Sequence, residues 1–241
     1  MEKTRKGDTP PVTPIPVLLQ DEHLLAVHKP AGVPFHGTPG EEGLVGLVRR
    51  RTGLETLYAV HRLDRITSGV LLLARTREAA RELGRAFRER RVSKWYLAVS
   101  DRKPQKKQGT VSGDMARSRR GAWKLLRTRT DPAVTRFTSV SLAPGLRLFC
   151  LKPETGRTHQ VRVALKALGS PVLGDPLYWS PRPGSTEPDR AYLHAYGIAF
   201  DLFGTPCRIF SPPAEGRLFT CAAFLNALSG IRCPYSVIRD G

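Results

Sequence analysis

Apolar and polar positions alternate in short bursts along most of the chain, the two-residue period of half-buried strands. The runs "EHLLAVHK", "TLYAVHRL", "SGVLLLAR" and "KWYLAVS" each read as a strand, as do "AVTRFTSVSL", "LRLFCLKP" and shorter runs near 192–200 and 206–210. Helical spacing is rarer. It predicts a short helix at "LVGLVRRR" and a longer one over 76–91, where Thr76 is a suitable N-cap and Ala79, Leu83, Ala86 and Phe87 share a face. "TGRTHQVRVALKALG" turns helical with Val161, Leu165 and Leu168 on one side, and a last helix falls near 215–228. Strands outnumber the helices that parallel crossovers require, so the predicted fold class is α+β, a mixed, mostly antiparallel sheet core with flanking helices and loops. Proline and charge make residues 1–16 a flexible lead-in, and 17–241 is expected to form a single domain.

Charge changes the picture next. The chain carries 39 Lys and Arg against 21 Asp and Glu, a net charge of +18, which favours a polyanionic partner and makes nucleic acid the first to test. No apolar run approaches the roughly 20 residues of a membrane span, and the first residues lack the apolar stretch of a secretory signal, so a cytoplasmic monomer with no membrane partner is expected. The four cysteines are scattered without metal-ligand spacing, which predicts reduced, buried thiols, no metal site and no disulfide framework. Basic residues concentrate in two places. The 76–91 helix stacks Arg77, Arg81, Arg85 and Arg88 on one face, and residues 102–129 contain a single acid, Asp114. Glycine punctuation makes that second stretch a basic strand-loop-strand arm, with Lys106, Lys107, Arg119 and Arg120 as candidate phosphate contacts.

Against this background "HRLDRITSG" (61–69) places one acid, Asp64, between Arg62 and Arg65. Such a group is most often a structural ion pair, yet basic neighbours also favour the ionised carboxylate that attacks a sugar carbon, removes a proton or binds metal. Metal ligation is disfavoured because Glu55 is the one other acid within ten positions, and no G-x-S-x-G elbow marks a serine hydrolase.

These residues also carry a family resemblance. "HRLDRITSGVLLLA" resembles the central H-R-L-D-x-x-T-S-G motif of the RluA-type pseudouridine synthases. "VHKPAGVPFHG" (27–37), "KWYLA" (94–98) and "LKPETGRTHQVRVALKALGSPVLGDPLY" (151–178) resemble that family's other motifs in the same order, over about residues 17–200. The resemblance implies the pseudouridine synthase fold and conversion of uridine to pseudouridine in a structured ribosomal or transfer RNA, without cofactor. The base would leave ribose C1′, turn, and rejoin through carbon. It further implies that Asp64 is the essential carboxylate, by attack on C1′ or by removal of a ribose proton. Tyr96 would stack on the uracil and share in proton removal, and Arg162 would pair with Asp64. His61 and Arg62 would lie beside the flipped nucleotide, with Arg65, Arg157 and His159 in the RNA-binding surface. The chain departs from the pattern at Ala164, where the family often has His, and the stretch before the first strand is short of the roughly 50–60 residues of an S4 module. An RNA-binding or ribosome-assembly factor on the same fold is the competing expectation, and a DNA-binding protein a weaker one.

Overall fold

A computed structural model describes residues 15–183, 187–231 and 233. The strands are β1 (Val17–Gln20), β2 (Leu24–Lys29), β3 (Tyr58–Ala59), β4 (Ser68–Ala74), β5 (Ser93–Ser100), β6 (Gln108–Gly113), β7 (Met115–Arg117), β8 (Trp123–Leu125), β9 (Ala133–Ala143), β10 (Leu146–Pro153), β11 (Leu193–Leu202) and β12 (Thr205–Phe210). The helices are α1 (Leu44–Thr52), α2 (Arg77–Arg88), α3 (Gln160–Ala167) and α4 (Ala222–Gly230). Ten strands form one sheet in the order β1-β2-β4-β11-β5-β10-β9-β6, with β12 on β11 and β3 on β4. Among the described residues the β4–β11 pair is parallel and the other pairs in this sheet are antiparallel, which makes it mixed and mostly antiparallel, as its many short strands predict.

Alternation along the strands sorts the core into two faces. On β4, Leu71 and Leu73 turn toward α1, while Val70 and Leu72 turn toward α2. On β5, Ala98 joins the α3 side, and Leu97 and Val99 join the α4 side. Tyr96 packs where the α1 and α3 clusters meet. Helix α2 forms as its sequence predicts: the Thr76 hydroxyl accepts from the Ala79 backbone N–H, and Ala79, Leu83 and Ala86 are buried.

Four expectations need correction or refinement. Of "TLYAVHRL", only Tyr58–Ala59 is strand, because residues 60–67 leave the sheet to carry the Asp64 loop. Within the basic arm β6 pairs with β9, and the hairpin is the shorter β7–β8 unit. Cys150 on β10 and Cys233 beyond α4 form a disulfide with Cα atoms 5.9 Å apart, so the reduced reading holds for Cys207 and Cys221 and not for this pair. A separation of 83 residues hid that proximity, which arises because α4 folds back onto β9 and β10. The expected lead-in lies largely outside the described residues, but Ile15 within it is buried beside Leu25 and Val27. No helix among the described residues is long and apolar enough to cross a membrane.

Candidate active site

Where β4 and β5 begin and β10 ends, loops enclose a cavity of about 580 Å³. Asp64, Tyr96, Arg162, His61, Arg62, Arg157 and His159 all line it, so most of the residues singled out from sequence meet in one place.

The Asp64 loop is held by its own motif. Thr67 N–H donates to the Asp64 carbonyl at 3.0 Å, closing a turn, and the buried Lys29 ammonium donates to the carbonyls of Pro30, Arg65 and Thr67 at 2.8, 3.2 and 2.9 Å. Burial pulls the Lys29 pKa down to about 7, yet three acceptor carbonyls fit three ammonium hydrogens, so the bound geometry favours the charged form. Gly69 follows at φ +112°, where a Cβ would collide with the Ala195 carbonyl of the parallel neighbour β11. Ser68 Oγ accepts from Arg190 at 2.8 Å and lies 2.8 Å from His194 Nδ1, while His194 Nε2 lies 2.7 Å from the Ser211 carbonyl. The T-S-G triplet therefore fixes the strand from which Asp64 is presented.

Arg162 joins two carboxylates. It is 4% exposed, donates through Nε and Nη2 to Asp175 at 2.7 and 2.9 Å, and through Nη1 to Asp64 at 3.0 Å. Asp175 is fully buried and also accepts from the backbone N–H groups of Leu177 and Tyr178. A bidentate anchor of this kind leaves the third edge of the guanidinium aimed at Asp64. The preceding loop is pinned by Gln160, whose amide donates to the Val134 carbonyl and whose Oε1 accepts from the Arg157 N–H and the Thr155 hydroxyl. His159 enters α3 with a left-handed φ of +58°, its Nε2 4.0 Å from Asp64 Oδ2 and its Nδ1 2.9 Å from the Tyr178 hydroxyl.

Tyr96 forms an aromatic wall, and burial, assisted by the Asp64 charge, raises its pKa. The phenol is thus protonated at neutral pH and offers a flat face rather than a ready phenolate. His61 is equally inert as a charge: its Nε2 accepts from the Leu72 N–H at 2.9 Å, its ring stacks on Phe87, and burial pushes its pKa down to about 3. Lys94 donates to the Thr155 carbonyl at 3.1 Å, and burial lowers its pKa to about 8.

Other predicted residues lie elsewhere. Arg65 turns away from Asp64 and makes a two-pronged pair with Glu41 at 2.9 and 3.1 Å. Lys106 and Lys107 are exposed before β6, at the end of that strand remote from the cavity. Gly113, at its other end, pairs with Ala133 near the loop that lines the cavity, and five residues of strand span about 17 Å. Arg119 and Arg120 occupy an exposed turn at the tip of the β7–β8 hairpin, whose Trp123 N–H donates to the Tyr178 hydroxyl at 2.8 Å. On α2, Arg85 pairs with Glu82, whereas Arg88 and neighbouring Arg90 line the cavity. Sequence reasoning placed Arg88 in a basic helix face but gave no role to Asp175, Tyr178, Lys29, Lys94 or Arg90. The first four stand inside the family-like motifs, so their signal was present but unused. Among the described residues no group of three or more His, Cys, Asp or Glu side chains could hold a metal ion.

A family model described as RNA pseudouridylate synthase matches residues 23–167, a span that includes the Asp64 loop, Tyr96 and Arg162. The chain belongs to that family. An uncharacterized RNA pseudouridine synthase of Haemophilus influenzae is 45% identical over 205 residues, covering 85% of this chain and 90% of the relative. The dual-specificity RNA pseudouridine synthase RluA of Salmonella typhi is 38% identical over 77% of this chain and 87% of its own length. In three dimensions the chain is similar to human RNA pseudouridylate synthase domain containing 1, with TM-score 0.72 and 27% identity over 86% of each chain. Membership makes this chain an RNA pseudouridine synthase, the activity that the order of its four motifs implied.

Proposed function

We propose that Asp64 is the essential carboxylate of this pseudouridine synthase and that Arg162, anchored on Asp175, holds and aims it. The observation that carries the reading is the 3.0 Å bond from Arg162 to Asp64 at the wall of a cavity that also holds the Tyr96 ring. A uridine leaves its stack to enter, at a cost of a few kcal/mol that loops and single strands reduce. The cavity falls within the roughly 300–1,000 Å³ of small-molecule sites. Tyr96 stacks against the base while its N1–C1′ bond breaks and a C5–C1′ bond forms. The C5 hydrogen then leaves and N1 gains a proton. Arg62, Arg88 and Arg90 at the rim supply positive charge for the flanking phosphates.

The substrate in this reading is a structured ribosomal or transfer RNA. Relatives named as a dual-specificity synthase and, in Vibrio vulnificus, as ribosomal large subunit pseudouridine synthase C support that range. The protein is read as a monomer working in the cytoplasm, where such RNAs fold. The test is tritium release from transfer and ribosomal RNA transcripts carrying 5-tritiated uridine, followed by mapping of the product. Site-specific release is expected. Tight RNA binding without release would favour the assembly-factor reading instead.

A further inference from the structure

Tyr178 stands where the arm, α3 and the buried ion pair meet. Its hydroxyl oxygen accepts from the Trp123 backbone N–H and lies 2.9 Å from His159 Nδ1. The Arg162 guanidinium lies 5.0 Å over its ring, and its own N–H donates to Asp175. Trp123 is available for this contact because of its place in the hairpin. Arg117 and Trp123 face each other across β7–β8, and the next pair inward to the turn is closed by the Ser118 N–H on the Ala122 carbonyl. In an antiparallel ladder the pair beside a bonded pair points its N–H groups outward, and here the outward group meets Tyr178.

Donor counting then leaves the phenol hydrogen free to point at His159. A peptide N–H can only donate, so the phenol oxygen is an acceptor toward the arm, and its single hydrogen remains for His159 Nδ1. A neutral imidazole that accepts at Nδ1 carries its hydrogen on Nε2. Nε2 is the nitrogen that faces Asp64 Oδ2 at 4.0 Å. That gap exceeds a hydrogen bond, so the N–H stays available to a substrate oxygen, a ribose hydroxyl or a uracil carbonyl, placed against Asp64. Burial lowers the pKa of His159, outweighing the opposing pull of Asp64, so the ring is neutral at neutral pH.

We infer that the basic arm, by seating Trp123 on Tyr178, sets His159 as an Nε2–H donor into the catalytic cavity, so that holding the RNA and arming the site are coupled through one phenol. His159 is then a catalytic residue that touches substrate, and Tyr178 is a positioning residue acting through it. The inference rests on the assignment of Asp64 but adds to it a second polar group and a route from arm to site.

The hydrogen positions can be read without turnover. In the intact protein labelled with 15N-histidine, two-bond proton–nitrogen correlations distinguish the two tautomers, and loss of one spin system in His159→Gln assigns the ring. The unaltered protein is expected to show a protonated Nε2 and a bare Nδ1 at pH 7.5, and Tyr178→Phe to lose that single pattern. In tritium release, Tyr178→Phe is expected to lower kcat about tenfold, the scale of one missing hydrogen bond, with KM for RNA nearly unchanged. His159→Gln, whose amide N–H can take the place of Nε2–H, is expected to retain more kcat than His159→Asn, whose shorter amide cannot reach it. A bare Nε2 or a doubly protonated ring in the unaltered protein would overturn the inference, whether or not the variants fold. So would an unchanged kcat in Tyr178→Phe, or equal kcat in His159→Gln and His159→Asn. An Asp64 variant that kept its activity would overturn the catalytic assignment instead and leave the tautomer measurement standing.

Discussion

The cavity and the arm are both basic, but they hold their charge by different means. Arg162 is almost fully buried and divides its N–H groups between two carboxylates, each at 2.7 to 3.0 Å, with Asp175 itself satisfied by two backbone N–H groups. Arg119 and Arg120 stand in solvent on a short turn. Charge inside a protein is costly to leave unpaired, so it is positioned to fractions of an ångström. Charge in solvent costs little and is free to follow a flexible polyanion. Changes to the first kind should therefore damage chemistry, and changes to the second should act first on affinity.

Breaking the buried pair should have the largest effect. Asp175→Ala leaves Arg162 without its anchor and is expected to lower unfolding stability by about 3–5 kcal/mol, measured by denaturant titration, and to reduce kcat more than KM rises. A variant of full stability and activity would mean that Arg162 is held by something other than Asp175, and the contrast would fail.

Acid should act on the interior next. Burial holds His61 and His194 at pKa values of about 3, below their ordinary 6.5. The unfolded chain therefore binds protons below pH 6.5 that the folded chain refuses until near pH 3. Stability contributed by these neutral rings is complete above pH 6.5 and declines as pH falls toward 3, by about 1.4 kcal/mol per pH unit for each ring. Denaturant midpoints between pH 7.5 and 5 check this. A flat profile would show that neither ring is buried neutral.

The smallest effect belongs to the arm, and it separates two sets of residues that sequence alone grouped together. Arg119→Gln with Arg120→Gln is expected to weaken RNA binding and reduce the slope of log affinity against log salt by roughly 0.7 for each phosphate that is no longer neutralised. Lys106→Gln with Lys107→Gln should leave the slope nearly unchanged, because those lysines lie at the far end of β6. Equal slopes for both pairs would put the RNA along the whole strand rather than at the hairpin tip.

Periodicity and caps made the regular elements legible. The alternation of β5, β9 and β10 and the Thr76 cap of α2 all correspond to observed elements, because each is a local relation between neighbours. Long-range relations were harder. Nothing local says that β6 leaves its hairpin to pair with β9, that Cys150 meets Cys233, or that Arg65 turns to Glu41. The Asp64–Arg162 contact, 98 residues apart, was reached through family resemblance and not through spacing. Asp175 shows the limit most clearly: it stood in "LGDPLY" as one acid among many, and only the fold reveals that it carries Arg162.

The most direct measurement is tritium release by Asp64→Asn, a change that keeps the shape of the side chain and removes its charge. If Asp64 is the essential carboxylate, the variant folds, still binds RNA and releases tritium at least about 10⁴-fold more slowly than the unaltered enzyme. Release at an undiminished rate would contradict that assignment.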